Sequence, residues 1–363
     1  MNNAKIGSIE AISIIIIGTI TRLLLNYHQV LVEETATAAW IVVILITLIS
    51  LLFCYLLYKC FKNFNDNDLL DVSEFLLGKP LKIIIGLLYI VYFTLTICGT
   101  LSVLGVELKI TYFTKSPLAF LIIIFLLDAL IVNKLGFKAI AKITTLIVPI
   151  LLISIVVIFF SVSHKFQFNN LFPVLGNGPD KIIISTLSNL SSFTSLSLLF
   201  FLNPFINKKE DFKKIAFLGI IFSAIYLFLS IFLMLLVFPT SLADEGLFLM
   251  YLISRSIEYG RFFQRTEAIF TLLWIMSSLS FISVLLFYVS YIFKKITNIK
   301  NSKQILYAFI AIIFSIALIP NNLSAFLFLE KSLYRYVFIG LVFGVSFLIM
   351  VFANIKKKRM NKL

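Results

Sequence analysis

The chain has 363 residues, 61% of them hydrophobic and 13% charged, with a mean hydropathy of +1.06. A soluble domain of this length needs far more polar surface, so the composition excludes an ordinary globular protein. The net charge of +14 sits in short loops between apolar blocks, not on one basic face with interleaved aromatics. That excludes a nucleic-acid binder and makes anionic membrane lipids the partners of the positive charge.

The apolar blocks run to about 18–25 residues, the length that crosses a hydrocarbon core of about 30 Å as a helix. In chain order the predicted spans cover 9–26, 36–58, 81–106, 117–133, 139–162, 182–204, 213–238, 263–293, 304–319 and 334–354. Ten spans put 21 Lys and Arg residues on the side of the N-terminus and 9 on the other. This asymmetry predicts that both termini are cytoplasmic. Residues 1–363 then form a single integral membrane domain. Ten divides into two repeats of five, about 9–162 and 182–354. An odd-numbered repeat inserts its second copy upside down, the plan of LeuT-like transporters, in which the first and sixth helices are broken near the midplane.

The first span carries Ile17, Gly18, Thr19 and Ile20 at its middle. Glycine weakens a helix by about 1 kcal/mol, and the adjacent hydroxyl can satisfy freed backbone groups. The alternative is a packing glycine between helices. The sixth span holds Ser191, Ser192, Phe193, Thr194 and Ser195, the most polar stretch inside any apolar block. Hydroxyls there either glue helices together or mark an unwound segment. Interruptions at matching positions of two repeats favour unwinding at both. Exposed peptide groups would then receive the ammonium and carboxylate of a small solute.

Other residues are weighed singly. Arg22, near the outer end of the first span, either snorkels to the interface or pairs with Glu107, near the outer end of the third, as an outer gate. A mid-membrane charge costs about 2.5–3.5 kcal/mol, so neither faces lipid. Asp128, in the fourth span, is either a proton or ion site or, because that helix is peripheral in LeuT-like folds, a structural or interfacial residue. Arg265 and Glu267 open the eighth span and point to different helix faces. Trp274 lies two turns further in, to line a pocket or to pack. Residues 240–262 form either a short amphipathic lid or a plain surface helix. Asp66, Asp68, Asp71 and Glu74 lack the glycine and spacing of a calcium loop and read as a solvated loop with a helix cap at Asp71 or Ser73. Cys54, Cys60, Cys98, His28 and His164 have no ligand or disulfide spacing. No catalytic or nucleotide motif appears, so neither an enzyme nor a cofactor is expected.

Several motifs in order carry a family resemblance: Ile17-Gly18-Thr19, Leu77-Gly78-Lys79, Leu171 to Gly178, Asn203-Pro204, Arg265-Thr266-Glu267 with Trp274, and Ile319 to Asn322. Over nearly its whole length the chain resembles the B subunit of bacterial spore nutrient germinant receptors, a branch of the amino-acid–polyamine–organocation superfamily. It differs in having Thr194-Ser195 where many relatives have Gly-Glu, and Leu25-Asn26 where relatives commonly have a proline. The resemblance implies a spore inner-membrane subunit that works beside A and C subunits. It also implies recognition of a small nutrient, often an amino acid. The alternative is a secondary active amino-acid transporter using the same site.

Overall fold

A computed structural model describes residues 5–22, 27–64, 66–240, 249–257, 266–299, 302–319 and 334–360. Among these residues the chain is helical throughout, with one isolated parallel bridge, Ile6 to Ile206. Helix α1 spans Ser8–Arg22, and α2 spans His28–Thr35. A 3-10 turn at Ala36–Ala38 joins α2 to α3, Ala39–Phe61. There follow α4 (Leu69–Leu77), α5 (Lys79–Thr111), α6 (Leu118–Leu135) and α7 (Phe137–Ser161). Next come α8 (Pro179–Ser188), α9 (Ser195–Leu202), α10 (Phe212–Val237), α11 (Leu249–Arg255), α12 (Thr266–Thr297), α13 (Ser302–Ala317) and α14 (Arg335–Met360).

Among the described residues, with α2 and α3 taken together, seven helices are long and apolar enough to cross a membrane, and α8–α9, an apolar pair bent by 46°, make an eighth span if taken as one. Helices α1 and α13, where the first and ninth spans are predicted, are apolar but shorter. The protein is thus a multi-pass, all-α membrane protein.

Helix α1 is apolar nearly all round, and such a helix belongs inside a bundle. It packs against α7, α9, α10 and α12, with Ile14, Ile15, Ile17 and Ile20 fully buried. Helices α5 and α12 run along each other through the centre. With 33 residues, α5 is about 50 Å long, so it tilts within the bilayer or extends beyond it. The segment before α1 is tied to the segment after α9 by backbone bonds: Ile6 N–H donates to Phe205 O at 2.8 Å, and Asn207 N–H to Ile6 O at 3.1 Å.

Two expectations are corrected. The break at Gly18 is absent: α1 is continuous from Ser8 to Arg22. The glycine serves close approach instead, since a Cβ there would stand 3.1 Å from Leu198 Cδ1 and 3.3 Å from Ser195 Cβ. Nor is the acidic loop freely solvated, and its cap is Asp68 rather than Asp71 or Ser73. The Asp68 carboxylate accepts from Leu70 N–H at 2.9 Å and Asp71 N–H at 3.1 Å, while Asp71 reaches back to Asp68 N–H, closing a capping box.

Candidate functional site

The sixth predicted span is interrupted where its sequence turns polar. Helix α8 ends at Ser188, a 3-10 turn covers Asn189–Ser192, and α9 restarts at Ser195. Phe193 between them is non-helical, with φ −84° and ψ 58°. Hydroxyls take up the loosened carbonyls: Ser192 Oγ donates to Asn189 O, Thr194 Oγ1 to Ser191 O at 3.1 Å, and Ser197 Oγ to Thr194 O at 2.6 Å. Inside a bilayer such local donors are what make a break tolerable.

The break lies against the C-terminal half of α1. Thr19 Oγ1 and Ser195 Oγ share a hydrogen bond of 2.7 Å, and Gly18 lets Ser195 and Leu198 approach. Two residues on, Thr21 Oγ1 donates to Ser277 O of α12 at 3.2 Å. Gly18 and Thr19 therefore meet Ser195 as one crossing, at which α8–α9 is interrupted and α1 is helical. Ile17, Thr19, Ile20 and Ser191 through Ser195 are all buried. In this conformation the crossing is packed shut.

A network absent from the predicted residues closes one end of the crossing. The Glu34 carboxylate, at the end of α2, accepts from Arg335 Nη1 at 2.6 Å, Ser185 Oγ at 2.6 Å and Asn189 Nδ2 at 2.7 Å. One side chain thus joins α2, the break and the start of α14. Glycine makes the neighbouring loop possible: a Cβ on Gly176, at φ +48°, would fall 2.0 Å from Thr35 O. Beside it, Thr37 Oγ1 donates to Pro173 O, and Asn177 Nδ2 to Glu34 O at 3.2 Å. The available signal was two opposite charges, Glu34 and Arg335, both predicted on the outer side and both at the rims of apolar blocks.

At the other end, Asp68 Oδ2 accepts from Tyr291 OH at 2.7 Å and Lys295 Nζ at 2.8 Å, and Lys295 also reaches Asp71 at 2.6 Å. Asp68 is fully buried. Burial is the largest influence on its carboxyl and pushes it above the usual aspartate range, against the pull of Lys295.

The remaining predicted residues divide. The side chain of Arg22, and Arg265 altogether, lie outside the described residues, as do 241–248 and 258–262 of the predicted lid. The described part of that lid is α11. It covers a cavity of about 20 Å³ lined by Glu107, Met250, Tyr251, Phe270, Thr271 and Trp274. Glu107 and Trp274, far apart in sequence, share this cavity. Among the described residues, Glu107 Oε2, Trp274 Nε1 and the nearby Glu267 Oε2 are buried without hydrogen-bond partners. Burial, with Tyr112 adding, pushes the Tyr251 hydroxyl above the usual tyrosine range, so it stays neutral. Asp128, half-buried on α6, has no hydrogen bond or ion pair among the described residues. No group of His, Cys, Asp and Glu among the described residues has the arrangement of a metal site.

The chain is similar to known proteins over most of its length. The sequence model of the family described as spore germination protein matches residues 5–326. Three Bacillus subtilis relatives are similar along much of the chain. Spore germination protein B2 is 25% identical over 333 residues, 90% of this chain and 89% of its own length. Spore germination protein KB is 24% identical over 280 residues, 74% of this chain and 73% of its own. Spore germination protein A2 is 23% identical over 361 residues, 99% of this chain and 98% of its own. Among solved structures, a manganese transporter from Eremococcus coleocola superposes with a TM-score of 0.52 at 13% identity. The match covers 95% of this chain and 76% of the transporter. At that identity the likeness is one of fold, and the fold is that of a membrane transporter.

Proposed function

Because the chain belongs to the spore germination protein family, we propose that it is the membrane subunit of a nutrient germinant receptor. It binds a small nutrient such as an amino acid between α1 and the break in α8–α9, and so triggers germination. The observation that carries this reading is the interrupted span held against α1 by the Thr19–Ser195 bond. Backbone that leaves helical pairing inside a membrane must line a cavity or be buried in protein. Such backbone, with the ends of half-helices, offers opposite partial charges to the two ends of a zwitterion.

The closed crossing fits a sensor with two states. A nutrient shifts the balance only by as much as its affinity differs between closed and open forms. Here the closed form is held by Glu34 and Arg335 at one end and by Asp68 and Lys295 at the other. A and C subunits would read the shift in the spore inner membrane. In this reading ten spans form two inverted repeats, about 9–162 and 182–354, with both termini cytoplasmic. The seven long helices, the bent pair and the two shorter apolar helices support that count. The 21 to 9 charge asymmetry supports the orientation.

The test is equilibrium binding of a panel of labelled amino acids to the purified chain, run beside uptake by the same chain in liposomes. Saturable binding that is weakened by Ser195→Ala, without net uptake, is the expected result. Concentrative, ion-coupled uptake would replace the sensor by a secondary amino-acid transporter. Binding untouched by Thr19→Val and Ser195→Ala would remove the site from the crossing.

A further inference from the structure

The cavity under α11 is built by three helices that meet away from the break. Glu107 comes from the last turns of α5, Met250 and Tyr251 from α11, and Phe270, Thr271 and Trp274 from α12. Glu107 is 2% exposed, yet its Oε2 has no hydrogen-bond partner among the described residues. The other hydroxyls on the wall are already engaged: Thr111 Oγ1 donates to Glu107 O, Thr271 Oγ1 donates to Glu267 O, and Tyr112 OH bonds Thr271. Lys109 and Arg255, the described basic residues nearest in sequence, are exposed.

A carboxylate in this position is expensive. An intramembrane charge costs about 2.5–3.5 kcal/mol even at generous estimates, and it persists where something compensates it. What surrounds Glu107 is a wall of Tyr251, Phe270 and Trp274. A carboxylate beside several aromatic rings is the arrangement that attracts a compact cation, because ring faces carry negative potential. The volume of about 20 Å³ admits one guest the size of a water, so only the head of a larger ligand enters.

We infer that the cavity between α5, α11 and α12 is a binding site for a compact monovalent cation, the ammonium head of a protonated amine or an alkali ion, held by Glu107. The site does not rest on the proposed nutrient crossing. It adjoins it, however: Ser277 Oγ donates to Trp274 O at 2.8 Å, and Thr21 of α1 donates to Ser277 O. One turn of α12 separates the two.

The chain has two tryptophans, Trp40 and Trp274, so Trp40→Phe leaves the cavity residue as the sole indole reporter. The full-length variant in lipid nanodiscs is titrated with ammonium, methylammonium, potassium and choline chlorides. The expected result is a saturable change in Trp274 emission with a compact cation, absent with choline and weakened at least tenfold by Glu107→Gln. A response to ammonium and methylammonium identifies the amine head, and a response to potassium alone identifies an alkali ion. If no compact cation acts beyond choline, or if Glu107→Gln titrates identically, the cavity holds only water beside a neutral Glu107 and the inference is overturned. Should Glu107→Gln fail to fold, the unmodified chain supplies the same decision. Its unfolding temperature must rise with a compact cation, saturably, and not with choline. Nutrient binding at the crossing can fail while this response persists, so the two readings are separable.

Discussion

Arg335→Gln is the substitution that tests whether the crossing is held shut by its polar end. In the native chain Arg335 Nη1 lies 2.6 Å from Glu34 Oε1, with side-chain exposures of 9% and 28%. Removing one partner of a buried ion pair costs about 3–5 kcal/mol because the other charge stays uncompensated. Glu34 is partly wet and keeps Ser185 and Asn189 as donors, so the discounted cost is about 2–3 kcal/mol. That cost falls on the closed arrangement, because the pair ties α2 and the break to α14. A loss of 2–3 kcal/mol raises the open fraction about 30- to 150-fold. The assay uses Ser191→Cys, a buried position at the break, in a background with Cys54, Cys60 and Cys98 replaced by alanine. A water-soluble maleimide then reports opening in nanodiscs. Labelling accelerates about 30- to 150-fold with Arg335→Gln, and the double variant Glu34→Gln/Arg335→Gln recovers much of the loss because neither charge is stranded. An unchanged labelling rate, or single effects that simply add, would refute the latch.

Gly18→Ala is near neutral in thermal unfolding, since Leu198 can turn its methyl aside and alanine favours helix by about 1 kcal/mol. Gly18→Val costs about 1–3 kcal/mol by overpacking against Ser195. A strong loss of ligand response with a stable Gly18→Ala chain would instead mean that α1 unwinds there. Gly176→Ala loses about 1–3 kcal/mol from its positive φ alone, and more from the Thr35 carbonyl, so the unfolding temperature drops sharply. Lys295→Met strands Asp68 at a cost of about 3–5 kcal/mol, and Asp68→Asn in the same chain restores much of it. The pH dependence has a definite sign: a carboxyl raised on folding contributes stability below its unfolded value and loses it as pH rises through the folded one. Without Lys295 the rise is larger, so mild acid stabilises Lys295→Met more than the native chain, as read from unfolding temperature against pH.

Periodicity and composition were enough to locate the membrane helices, because burying about twenty apolar residues in lipid outweighs local preferences. The polar run from Asn189 to Ser195 was legible as a break from its composition, since five polar residues among seven in a span find partners in the backbone groups that a break frees. Gly18 was misread: a glycine's missing side chain permits either a bend or a close neighbour, and the neighbour, Ser195, lies 177 residues away. The pairing of Glu34 with Arg335 and the cavity shared by Glu107 and Trp274 were equally out of reach, since nothing in the intervening chain encodes the contact.

What the amino-acid order determined by itself is a stack of helices with one polar interruption and a lysine-rich face, because hydropathy and local backbone chemistry act within a few residues. Tertiary packing decided which helix stays straight, which charges close the crossing and which carboxylate is left without a partner. Those outcomes depend on distances between side chains brought together across hundreds of residues, and only the folded bundle sets them.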